Sequence, residues 1–267
     1  LKSLDESGAS LNLPLPNEEQ VMSASHIVAQ CGTHTFMKAL SQKPDVLIAG
    51  RSCDTAIFAA LPQMLGYDAG LSLHMAKIIE CTSLCCTPGG RDAILAELGE
   101  FDFFLESMNP AAHATPASVA AHALYEQSNP WIVEEPEGTL HLKQASYLAL
   151  DSHRTQVSGA QFVPRSSPTL KVEGASHAGA RAVLLAGVAD PTMISIMPSA
   201  LLEVSERVRK LVPGEWTMVP HLYGQGAVRV LAQAKRSLHE IGLVIEFLAP
   251  HATMAKTAAA VFKQNLL

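Results

Sequence analysis

Between Glu18 and Val28 the apolar residues Val21, Met22, Ile27 and Val28 fall on one helical face. Asn17 and Gln20 supply a capping box, so the chain is predicted to open with a helix over about 18–30. A second helix is expected over 33–40, then a buried strand over 45–49 behind Pro44, then a helix over 54–60 capped by Asp54. Leu71 to Cys86 is long, apolar and rich in helix formers until Gly89 and Gly90 break it, and Asp92 is placed to cap another helix. Phe101 to Leu105 predicts a strand, and Pro116 to Gln127 a helix with proline in its first turn. Beyond Pro130 the texture changes to short runs of period two at 139–142, 155–157, 169–172 and 182–185. A helix over 201–211, a strand over 244–248 and a terminal helix over 252–266 complete the pattern.

These elements predict an α/β fold with a mixed or parallel sheet flanked by helices, followed by an α+β part with a mixed or antiparallel sheet. The expected organisation is a linker-like segment over 1–16, an α/β part carrying the site over 17–130, and an α+β part over 131–267 that packs into the same domain or stands apart. Leu1 and the Gly, Ser and Pro that follow it read as a piece of something longer.

Composition narrows the function. A net charge of −6 without a basic block speaks against nucleic acid and against a polybasic membrane patch, so the expected partner is a small molecule. No apolar run reaches the roughly 18 residues needed to span a bilayer, which predicts a soluble, cytoplasmic protein. The five cysteines are odd in number and lie in apolar surroundings, so they are expected to be free thiols. Cys81, Cys85 and Cys86 lack a C-x-x-C pair and a fourth ligand, and no metal site is expected. Helices rich in Ala and Met suggest close packing and a homo-oligomer.

The candidate chemistry lies where strands are predicted to end, because helix N-termini and backbone N–H groups converge there. Gly50 is expected to turn the chain, Arg51 to offer a bidentate fork to a carboxylate, and Asp54 to start the next helix. His74, Lys77 and Cys81 share one face of the following helix, with Glu80 beside it. Glu80 or His74 would serve as a general base, and Lys77 would hold negative charge. After the strand at 101–105, Glu106, His113 and Thr115 form a second polar stretch at a helix entrance, where a carboxylate and a histidine suit an acid/base pair. His122, Tyr125 and Glu126 follow on that helix. Lys171 with Glu173, and His221 with Tyr223, share faces of their strands. No dinucleotide, Walker, zincin or elbow-serine motif occurs, and the cofactor is not legible.

Asp45-Val46-Leu47-Ile48-Ala49-Gly50-Arg51 with Asp54-Thr55-Ala56, Glu80-Cys81 with Gly89-Gly90, Thr115 with Leu124-Tyr125-Glu126 and Pro130, and Val157-Ser158-Gly159 together resemble the acyclic terpene utilisation AtuA family. The resemblance runs from about residue 20 to about 190 and more loosely to the C-terminus. It implies a place in the catabolism of branched carboxylic acids or acyl-CoA compounds, and it transfers Arg51, Asp54, Glu80 and Glu126 as site positions. Family members begin with a further Gly-rich α/β segment that does not precede residue 20 here. His122 stands where the family commonly has glutamine.

The sequence therefore favours an enzyme with a small anionic substrate, a carboxylate or an acyl-CoA. Glu80, Glu106 and His113 are the expected catalytic groups, and Gly50, Arg51, Asp54, Lys77, Thr115, His122, Tyr125 and Glu126 the expected substrate contacts. Hydration, dehydration or isomerisation next to a carboxylate fits this kit without a cofactor. The alternative is a non-catalytic binding or scaffolding subunit of an acyl-CoA pathway. A buried carboxyl with a raised pKa would favour the enzyme, and a large exposed apolar patch the scaffold.

Overall fold

A computed structural model describes residues 16–124, 129–228 and 238–266. The chain divides into two compact units, Leu1–Ser176 and His177–Leu267. The mixed α/β class expected from the sequence is what forms.

In the first unit, the capping box at Asn17 and Gln20 does start a helix, α1 (Glu18–Met22), but it stops after five residues. The segment that follows is strand β1 (His26–Gln30), where branched Ile27 and Val28 pair with a later strand and leave the helix. Helices α2 (Thr33–Leu40) and α3 (Asp54–Met64) pack together through Phe36, Ala56 and Ala60. The strand expected over 45–49 joins no ladder. Its Val46 and Ile48 are exposed, and the nearest pairing is one isolated parallel bridge between Cys31 and Ser52.

Helix α4 (Ala69–Ile79), capped by Asp68, is the centre of this unit. It is apolar nearly all round because it is covered on two sides. Leu71, Met75 and Ile78 meet Phe103, Leu105 and Val157 of an antiparallel sheet, and Leu73 and Ala76 meet Ala59 of α3 and a hairpin carrying Val133 and Leu140. The helix expected to reach Cys86 ends at Ile79, and a short 3-10 turn, Thr82–Cys85, follows from Thr82 at φ 58.

The sheet is ordered β2 (Ile94–Leu98), β3 (Asp102–Ser107), β7 (Arg154–Ser158), β6 (Ser146–Ala149). Asp92 thus precedes a strand where a helix was expected: Ile94, Ala96 and Leu98 alternate toward the core with Leu95 and Glu97 outside. Helix α5 (Pro116–Ala123) packs on the same core through Val119 and Ala123. The hairpin consists of β4 (Ile132–Glu135) and β5 (Gly138–His141), with β8 (Gln161–Pro164) beside β5. Strand β9 (Lys171–Ala175) pairs with β1.

All ladders between these strands are antiparallel. Links as short as that between Leu98 and Asp102 cannot make the crossover that a parallel pair needs.

The second unit is an antiparallel sheet of β10 (Ala180–Val188), β12 (Ile241–Ala249) and β11 (Thr217–Tyr223), in that order. Helices α6 (Pro191–Leu211) and α7 (Ala252–Leu266) cover one face of it. Phe247, Phe262 and Trp216 centre its core. Among the described residues, no helix is long and apolar enough to cross a membrane.

Candidate functional site

Period two along β4 turns Val133 and Glu135 inward and Ile132 and Glu134 outward. Glu134 therefore meets Arg165 at the surface, whereas Glu135 is carried into the first unit and is only 6 % exposed. There it meets the first turn of α3, where the buried Thr55 hydroxyl lies 3.0 Å from its Oε1 and 3.1 Å from its Oε2 and donates to the carboxyl. Burial raises the Glu135 pKa to about 7. The charges of Glu137 and Glu80 push the same way, and the Thr55 hydrogen bond and the Lys77 charge pull it back. A carboxyl in this position exchanges its proton near neutral pH.

The last turn of α4 supplies the neighbouring charges. Lys77 and Glu80 form an ion pair with side chains only 12 % and 9 % exposed. The helix places them on the side of Leu73 and Ala76, facing α3 and the hairpin. His74, expected on their face, is directed to the sheet side instead. It is fully buried, makes T-shaped contacts with Phe103 and Tyr147, and has its Nε2 3.1 Å from the Tyr147 hydroxyl. Burial lowers its pKa to about 3, so it is neutral, and its Nδ1 has no partner. Burial also pushes Tyr147 up to about 12.

Cys53 precedes α3 as its N-cap residue and is buried. Burial, then the Glu135 charge, pushes its thiol up to about 12, while Lys171 on β9 pulls it down. The register of β1 and β9 puts Gln30, Lys171 and Glu173 on one face. Gln30 Nε2 donates to Glu173 at 2.7 Å, and Arg51 Nε lies 3.7 Å from the same carboxylate with both side chains exposed. Glu135 is thus a buried carboxyl under the influence of Thr55, Glu137, Glu80 and Lys77, while Lys171 acts on Cys53 and Arg51 pairs with Glu173 at the surface. Chemically, an exposed guanidinium can pair with a carboxylate, and a buried carboxyl of raised pKa can move a proton. Among the described residues, no group of three or more His, Cys, Asp or Glu is placed to hold a metal ion.

The expected site residues are distributed unevenly. Lys77 and Glu80 act on Glu135, and Arg51 lies at the surface with Glu173. Gly50 lies beside Arg51, but its φ is not left-handed and a Cβ there would meet nothing within 4 Å, so no turn requires glycine. Asp54 is the first residue of α3, exposed, and not its cap. Glu106 projects from the outer face of β3 opposite Arg154, because Leu105 and Ser107 take the inward positions.

His113 stacks on His153 with ring centroids 4.3 Å apart and its Nδ1 3.0 Å from the Ser152 carbonyl oxygen. The Thr115 hydroxyl caps α5, accepting from the Ser118 backbone N–H at 3.1 Å. His122 sits half-buried on α5, and Tyr125 and Glu126 lie outside the described residues. Glu80, Glu106 and His113 therefore occupy three different places: the end of α4, the outer face of a sheet and a turn before α5.

Glu135 and Glu137 were not singled out in the sequence, and Thr55 entered only as part of the Asp54-Thr55-Ala56 run. The signal for Glu135 was its parity with Val133 in a hairpin whose Leu140 also faces inward, which puts an acidic residue at a core position.

A family model described as "Acyclic terpene utilisation family protein AtuA" matches residues 105–267. No curated protein and no solved structure matches the chain. The matched span covers more than half of the sequence, from β3 to α7, and includes Glu135, Glu137, Lys171 and Glu173. The chain belongs to the acyclic terpene utilisation AtuA family.

Proposed function

We propose that this protein is an acid–base enzyme acting on a small branched carboxylate or its acyl thioester. The reaction class is hydration, dehydration or isomerisation next to the carbonyl. The family's tie to acyclic terpene utilisation supports the substrate class. The observation that carries the reaction class is Glu135, a buried carboxyl whose proton exchanges near pH 7 beside a buried Lys77–Glu80 pair. In this reading Arg51 and Lys171 receive the substrate carboxylate or another anionic part of it. The ion pair of Arg51 with Glu173 is exposed and contributes less than about 1 kcal/mol, so a ligand carboxylate can replace it. Lys77 stabilises the negative charge that develops on the carbonyl oxygen as Glu135 takes or returns a proton. Glu80 holds Lys77 in place, and the proton-transfer role expected of Glu106 and His113 passes to Glu135.

The test is turnover of branched unsaturated acids and their CoA thioesters by the wild-type protein and by Glu135→Gln. Loss of turnover by at least about a hundredfold with binding retained supports the reading. Unchanged turnover of a substrate that the wild type converts overturns it.

A binding or scaffolding role is the second reading, and a specific feature favours it. Val46 and Ile48 on the segment before α3, Ile57 and Leu61 on α3, and Leu65 at its C-cap are exposed. Under that reading Glu135→Gln leaves the biological activity intact, and charges placed at Ile57 and Leu61 abolish it.

A further inference from the structure

Glu137 follows Glu135 by two residues at the tip of the β4–β5 hairpin and is itself buried. Its carboxylate lies on the N-terminus of α2: Oε1 accepts the His34 backbone N–H at 3.0 Å. The N-cap residue of α2, Gly32, offers no side chain to that end of the helix. An ideal Cβ at Gly32 would overlap both carboxylate oxygens of Glu137, so the carboxylate reaches the helix only because residue 32 is glycine. Gly32 has φ −93, which any residue can adopt. The need for glycine is therefore one of space.

We propose that Glu137 is a positioning residue for Glu135, latched on α2 through Gly32, that holds the hairpin and a fixed negative charge against the proton-transfer carboxyl. This rests on the reading of Glu135 as the proton-transfer group. The Glu137 carboxylate accepts a hydrogen bond at a helix N-terminus, whose unpaired N–H groups and dipole are positive. A negative charge placed beside a second carboxyl disfavours ionisation of that second group, and the Glu137 charge acts on Glu135 in this direction.

The groups that face Glu135 fix the sign of the effect. Thr55 of α3 donates to it, Lys77 of α4 attracts its ionised form, Glu80 of α4 and Glu137 of the hairpin repel it, and Cys53 stands neutral at the entry of α3. Two acidic neighbours thus oppose one cation. Taking away the Glu137 charge releases the Glu135 proton at lower pH.

Two variants separate the charge from its placement. Glu137→Gln keeps a carbonyl oxygen for His34 and removes the charge. Gly32→Ala keeps the charge and displaces the carboxylate from α2, a move that the end of a flexible side chain can make. The measurement is a 13C NMR titration of side-chain carboxyls on the full chain, with Glu135 assigned from its absence in Glu135→Gln.

The expected result is a Glu135 midpoint near neutral pH in the wild type that falls by about one pH unit in both variants. A neutral midpoint that neither variant moves overturns the positioning role and leaves the proposed reaction standing. An ordinary carboxylate midpoint in the wild type overturns both. A purely structural role for Glu137 would lower thermal stability without moving the Glu135 midpoint, which also refutes the proposal.

Discussion

Replacing Glu135 by glutamine changes how the stability of this protein depends on pH, and both sign and size follow from the site. Glu135 moves from an ordinary pKa of 4.5 to about 7 on folding, chiefly because burial penalises its charge. Below pH 4.5 both folded and unfolded chains hold the proton, so the group has no pH-linked effect. Between 4.5 and 7 the unfolded chain ionises while the folded chain does not, and stability falls as pH rises. At about 1.4 kcal/mol per pH unit the loss reaches about 3 kcal/mol by pH 7.5 and then levels off.

Glutamine keeps the shape and an acceptor for Thr55 but cannot ionise. Its fixed effect, including an amide N–H2 that needs a new partner, is the same at every pH. The informative quantity is therefore the stability of Glu135→Gln minus that of the wild type. It is expected to climb by about 3 kcal/mol in the variant's favour from pH 4.5 to 7.5. Urea unfolding at four pH values across this range reads it directly, and titrations common to both proteins cancel. A flat difference would show that Glu135 is not a protonated buried acid, and a falling one would show that Lys77 holds it ionised.

Other consequences are equally specific. Arg51→Ala is expected to weaken binding of carboxylate ligands about tenfold in calorimetry while leaving stability within about 1 kcal/mol, since its pair with Glu173 is exposed. The burial that depresses His74 from 6.5 to about 3 makes the fold lose stability as pH falls through that interval. His74→Gln should gain about 3 kcal/mol over wild type between pH 7 and 4.5 in acid unfolding curves. Phe262→Ala empties the middle of the second core, where Phe247 packs at 5.3 Å, and should cost about 3–5 kcal/mol in calorimetric unfolding. Ile57→Lys combined with Leu61→Lys alters exposed positions of α3. It should leave urea unfolding within about 1 kcal/mol and abolish any self-association seen by sedimentation.

Local signals in the sequence were reliable where the deciding contacts lie within a few residues. The Asn17–Gln20 box starts a helix, α2 spans Thr33–Leu40 as its periodicity predicts, and α7 runs Ala252–Leu266. The errors arise where a distant partner decides. His26–Gln30 is a strand because β9, over 140 residues away, pairs with it, and the residues after Asp92 form a strand because β3 turns back on them.

The run at 45–49 looks like a buried strand and finds no ladder at all. At the site, Lys77 and Glu80 were legible as charges out of place on an apolar helix. Their neighbour Glu135 was not, because it looks like one of several acids in Val133-Glu134-Glu135-Pro136-Glu137 until inward parity separates it from Glu134. His74 was conspicuous for the same reason as Lys77, yet one step around the helix sends it into the opposite core.

Two buried titratable groups of the first unit, His74 and Glu135, act on stability from opposite sides. His74 destabilises the fold as pH falls below 6.5, and Glu135 destabilises it as pH rises above 4.5 toward 7. His74 belongs to packing, since its ring is enclosed by Phe103 and Tyr147 and its neutrality is maintained throughout the neutral range. Glu135 differs: at neutral pH the fold carries nearly the whole of its unfavourable contribution, and a leucine or glutamine at that hairpin position would remove it. Thr55 alone does not account for keeping an acid there, because a glutamine carbonyl would accept the same hydrogen bond. Groups that weaken a fold at its working pH and have a neutral substitute of the same shape are found where chemistry needs them. That imbalance, together with the buried Lys77–Glu80 pair whose charges act on it, is the physical argument for the proposed role of Glu135.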